Sequence, residues 1–112
     1  MDELIERPLT FIRDKAGEFA EAKSNRVYLE QFRKSKKALL MLEAERNGVK
    51  TIAAQESYAY AHDEYLELLK GLQVAVEREE YLAMQIRAAQ IRIELFRTEQ
   101  ANQRAERKGY GV

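Results

Sequence analysis

The side chains with chemical potential in this sequence are bases, amides and tyrosines. Near the end of the chain, Arg97, Gln100, Asn102, Arg104, Arg107 and Lys108 follow Phe96 with almost no apolar residue among them. Cations spaced along a helix can neutralise phosphates or carboxylates, and amides add directional hydrogen bonds. The stretch therefore reads either as a solvated helix end or as a recognition surface. A denser basic run is Arg33-Lys34-Ser35-Lys36-Lys37, with Lys23 and Arg26 upstream. It could contact phosphates, or pair internally with acids of the last helix. Tyr58, Tyr60 and Tyr65 lie close together in sequence, where they could stack on unpaired bases or pack over a turn.

Catalytic chemistry finds little to use. With no Cys there is no thiolate nucleophile, no disulfide and no thiolate metal site. The single His62 stands beside Asp63 and Glu64, without the spaced His or Glu partner that a metal centre needs, and reads as a cap or turn residue. Glu77 and Glu79, and Glu79 and Glu80, are near neighbours on one helix and do not face each other. No glycine-rich phosphate loop and no Ser–His–acid set stands out. The expectation is a protein that is not an enzyme, with no cofactor and no metal.

The elements that position these residues follow from composition and periodicity. The 112 residues include one Pro and five Gly, and 34% are charged. No run approaches the roughly 18 apolar residues of a membrane span, and the acidic start (Asp2, Glu3, Glu6) does not order itself like a signal peptide. A soluble intracellular all-α protein of one domain is expected, with no membrane partner. Asn47-Gly48 closes a long run of helix formers, Gly48 suiting the left-handed C′ position. Thr51 can cap a short helix to Ala61, and Asp63 can cap the next. Pro8 suits a first turn. The sequence thus predicts a long antiparallel helical hairpin: a helix over about 8–46, a bend with a short helix in 47–62, a helix over about 63–107, and a frayed tail at 108–112.

In the last helix Leu68, Leu72, Ala75, Leu82, Ile86, Ala89, Ile93 and Phe96 keep a 3-4 spacing broken by Glu79, with a second row, Met84, Ala88, Ile91 and Leu95, beside it. The first helix offers Phe11, Ile12, Phe19, Leu29, Phe32, Leu39, Leu40 and Leu42, but Ala20 to Arg26 is small or polar. A lone hairpin buries little, so a homo-oligomer is expected, a dimer forming a four-helix bundle being favoured over a monomer completed by the short helix.

The zero net charge conceals blocks. Residues 1–22 hold six acids and three bases, net −3; residues 23–46 seven bases and three acids, net +4. Residues 63–80 hold six acids and two bases, net −4; residues 81–112 six bases and three acids, net +3, with the bend balanced. Folding back at the bend opposes each block to its complement. The expected neighbours are Lys34, Lys36 and Lys37 with Glu77, Glu79 and Glu80, and Arg92, Arg97 and Arg104 with Glu18, Asp14 and Glu6.

The run from Thr51 to Tyr65, with Tyr58-Ala59-Tyr60 at the bend, resembles small all-helical proteins of tailed bacteriophages. So does the ending Arg97-Thr98-Glu99-Gln100-Ala101-Asn102-Gln103-Arg104-Ala105-Glu106, where that group has an Arg-Thr/Ser-x-x-Ala/Ser-Asn-x-Arg-Ala-Glu pattern. Their genes often lie near those for recombination and single-strand binding. The resemblance implies a phage or prophage origin, residence in the bacterial cytoplasm, and recurring polar positions at Arg97, Asn102, Arg104 and Glu106. On this reading the chain is a phage accessory protein. It would bind a recombination or replication protein, or single-stranded DNA itself. The alternative class is a structural coiled-coil protein, an assembly scaffold or secretion-stalk component.

Overall fold

The computed structural model describes residues 3–110. It is an all-α helical hairpin of three helices: α1 (Glu3–Arg46), α2 (Ile52–Ala61) and α3 (Asp63–Tyr110). Both long helices exceed their expected bounds. α1 begins five residues before Pro8, which is buried inside the helix, because the acids Glu3 and Glu6 favour a helix N-terminus and Arg7 pairs with Glu3 one turn back. Residues 108–110, expected to fray, continue α3; positions 111 and 112 of the expected tail lie outside the described residues.

The chain divides into two compact units, Glu21–Glu79 and Met1–Ala20 with Glu80–Val112. In the first, α1 ends in a Schellman motif. The Val49 N–H donates to the Ala44 carbonyl (3.0 Å) and the Gly48 N–H to that of Glu45 (3.1 Å), with Gly48 at φ 92°. Thr51 caps α2, accepting the Ala54 N–H at 3.2 Å. The cap of α3 is His62 rather than Asp63: its Nδ1 accepts the Glu64 N–H at 3.0 Å, and Asp63 is already helical. The core here is Leu40, Ala59 and Tyr65, with Met41 and Leu69 against it.

Lys36 meets Glu64 of α3 and Arg26 meets Glu79, so the two helices run antiparallel. The pairing is displaced from the one that the charge blocks suggest. α1 runs past the start of α3, and α2 folds back over the surplus, where Glu56 reaches Lys37 at 3.4 Å. The basic run therefore pairs with Glu64 and Glu56, and not with Glu77, Glu79 and Glu80.

In the second unit Leu82, Ala89 and Ile93 are buried, and Arg7, Pro8 and Phe11 of α1 share an open groove with Gln85, Ala88, Ala89 and Arg92 of α3. Arg92 also lies by Glu3, Leu4 and Arg7. The expected neighbours Glu18 and Asp14 instead contact Lys15 and Arg13 on their own helix. Of the two apolar rows, the first is turned inward. The second is not beside it: at 100° per residue, Met84, Ala88, Ile91 and Leu95 lie about 150° round the helix from Leu82, Ala89 and Ile93. They are exposed.

Candidate interaction surface

Every residue from Arg97 to Gly109 is exposed. The reason is positional. Glu3, the first described residue of α1, lies by Arg92, so α3 continues for several turns with no helix beside it in this unit. The helix there survives on its own propensity, with Gln, Arg, Ala and Glu, and with Arg107 and Lys108 in the last turn facing the negative end of the helix dipole.

The helical repeat sorts these side chains. Arg97, Gln100, Arg104, Arg107 and Lys108 fall within an arc of about 100°. This arc continues the side of α3 that carries Leu82, Ala89 and Ile93 against α1. Glu99 and Glu106 fall about 140° away, so four cations and one amide form a stripe with the acids behind it. Asn102 departs from the group: it faces the side of the exposed apolar row. Among the described residues, no ion pair engages Arg97, Arg104, Arg107 or Lys108. Five residues of the expected surface are thus brought together and one is not.

The basic run at 33–37 is spent differently. Lys36 pairs with Glu64 at 2.9 Å, and the Lys36 ammonium holds the Glu64 carboxyl below the usual carboxylate range. Lys37 pairs with Glu56 and sits 4.8 Å from the centroid of the Tyr60 ring, a cation–π contact. Arg33 and Lys34 remain at the edge of a shallow recess with Lys37, Tyr60 and Tyr65. Half of the run is therefore structural.

The bend aromatics are packed. Tyr65 is buried, and its ring meets that of Tyr60 edge-on at 5.4 Å. Tyr58 lies 5.7 Å from the His62 ring. Desolvation, then the Glu43 carboxylate, push the Tyr58 hydroxyl above its ordinary pKa. Only Tyr60 offers much surface, and Lys37 covers one face of it.

Sequence reading missed one pair. Arg26 engages Glu79 through Nε to Oε2 and Nη2 to Oε1 (3.0 Å), and also reaches Glu30 at 3.1 Å. Glu79 is the buried charged residue of the described chain, held ionised below the ordinary carboxylate range by the Arg26 hydrogen bonds. Two anomalies in the sequence match here: the acid that breaks the apolar row of α3, and the base in the poor middle of α1. Among the described residues no group of three or more His, Cys, Asp or Glu could hold a metal, and no helix is long and apolar enough to cross a membrane. No family model, no curated protein and no solved structure matches this chain.

Proposed function

We propose that this chain acts by binding, as a helical-hairpin accessory protein of phage DNA recombination or replication. Its contact is the basic stripe Arg97, Arg104, Arg107 and Lys108 with Gln100, and its ligand is the phosphate backbone of single-stranded DNA. The observation that carries this is the one-sided charge of the α3 end, exposed on all sides and with its acids turned away. Arg97 and Arg104 stand two turns apart, about 10 Å along the axis at 1.5 Å per residue. Stacking is not needed for such backbone contacts, which suits a stripe without aromatic side chains. The resemblance of the bend and of the ending to phage proteins supports the biological setting.

Fluorescence anisotropy with a labelled single-stranded oligonucleotide tests the reading. Binding at about 50 mM salt should weaken with added salt, by a slope of about 0.7 per phosphate neutralised. Arg97→Glu with Arg104→Glu should abolish it. No binding by the unaltered chain at that salt would remove DNA as the ligand and leave an acidic surface of a phage recombination protein as the partner for the stripe. The scaffold reading has one observation in its favour, the exposed apolar row of α3.

A further inference from the structure

We propose that two copies of this chain pair through the outer face of α3, antiparallel, with Ala88 of each over Ile91 of the other. The face is Tyr81, Met84, Ala88, Ile91 and Leu95, spaced 3-4-3-4. Tyr81, Met84, Ile91 and Leu95 are 58%, 57%, 48% and 60% exposed, far above what isolated surface apolar residues require. The row runs straight along about four turns of helix; Met84, Ile91 and Leu95 lie on the side away from α1, and Ala88 borders the groove with Arg7, Pro8 and Phe11. A strict 3-4 row is the seam that one further helix fills.

The flanking charges select the partner and its direction. In the proposed alignment Met84 packs on the second copy's Leu95, Tyr81 on the second copy's Thr98, and the mirror contacts repeat by two-fold symmetry. Arg87 then stands beside the second copy's Glu94, and Glu94 beside the second copy's Arg87. On the other flank Gln85 meets the second copy's Arg92. The Gln85 amide nitrogen already donates to the Tyr81 hydroxyl at 3.0 Å, which leaves its carbonyl oxygen to accept from that guanidinium.

Every neighbouring alignment fails on charge. A slip of one heptad that sets Ala88 over the second copy's Met84 puts Arg87 against Arg87 and Glu80 against Glu94. The opposite slip opposes Glu94 to Glu94 and Arg92 to Arg92. A parallel pair opposes Arg87 to Arg92 and Glu94 to Glu99. Like charges across a seam act against wrong partners, and this sequence places them against each alternative. The two-fold pairing also closes on itself, which gives a dimer and not a filament.

Sedimentation equilibrium over a concentration series tests the pairing without any nucleic acid, so its outcome is independent of the DNA reading above. The unaltered chain should sediment as a dimer. Ile91→Glu should be monomeric with helical circular dichroism unchanged, because that side chain is exposed within one chain. Arg87→Glu should weaken the dimer at least tenfold, and Arg87→Glu with Glu94→Arg should restore it. Since the chain has no cysteine, Met84→Cys mixed with Leu95→Cys should give an oxidised heterodimer in preference to either homodimer. A monomer at all concentrations, open-ended growth, no recovery in the charge swap, or preferential like-with-like cross-linking would each overturn the proposal.

Discussion

Arg26 of α1 and Glu79 of α3 form a two-pronged ion pair, each one turn beyond a buried alanine, Ala22 and Ala75. Planar guanidinium matches carboxylate in this geometry, and Glu30 satisfies a further Arg26 N–H. Removing one member strands the other. Arg26→Ala should lower the melting temperature by several degrees, more than Arg33→Ala. Arg26→Met with Glu79→Leu should recover most of the loss, since matched apolar residues often replace a buried pair without cost. Thermal melts of the four chains check this, and a double variant no more stable than Arg26→Ala would contradict it.

The same pair gives an acid limb. The Glu79 carboxyl is held below its ordinary value when folded, so the unfolded chain binds more protons as the pH drops. The contribution is complete above the unfolded pKa of about 4.3 and is lost as the pH falls through the lower folded value. Glu64, lowered by Lys36, acts in the same direction. Denaturant midpoints measured between about pH 6 and pH 3 should fall steeply in the unaltered chain, and less steeply in Glu79→Gln, whose side chain does not titrate.

Two glycines should respond oppositely to the same change. Gly48 has φ 92°, and Ala there costs about 1 kcal/mol or more, because its Cβ strains the left-handed backbone that closes α1. Gly71 lies within α3, and a Cβ there meets nothing within 4 Å. Gly71→Ala should stabilise by roughly 0.5–1 kcal/mol. Chemical denaturation reads both.

Leu82 is 1% exposed, whereas Met84, two residues on and about 160° round the helix, is 57% exposed. Leu82→Ala should cost about 2–5 kcal/mol. Met84→Ala should cost much less in dilute solution, where a single chain unfolds without a partner.

In the stripe, Arg104→Ala should reduce the salt slope of single-stranded DNA binding by about 0.7. Asn102→Ala, on the other side of the helix, should leave the slope and the affinity unchanged. Lys36→Ala should lower thermal stability while sparing DNA binding, since Lys36 is held by Glu64.

Much of the hairpin was legible because local signals agree with one another: Gly48 after the good helix formers, Thr51 ahead of α2, and the 3-4 row through Leu82 and Ile93. The long-range pairing was not. Charge blocks fix which regions attract, but a block is several turns wide and does not choose the facing residues. That choice came from α2 packing Ala59 beside Leu40, a contact between elements that periodicity within either one does not encode. The Arg26–Glu79 pair was visible only as two defects, Glu79 in an apolar row and a base in a weak segment, and needs both helices to read as one feature. The basic end was found by composition, while its one-sidedness comes from the helical repeat, which leaves Asn102 behind.

The start of α1 lies by Arg92, a short step from Arg97, and the stripe continues the side of α3 along which α1 packs. A peptide fused ahead of α1 starts near Arg92, and an acidic one of sufficient length becomes a tethered competitor for the stripe. Arg107 and Lys108 of the stripe also close α3, so fluorophores for binding measurements belong at the bend between α1 and α2. A modest acidic leader, by contrast, offers a ready way to switch the surface off within a single polypeptide.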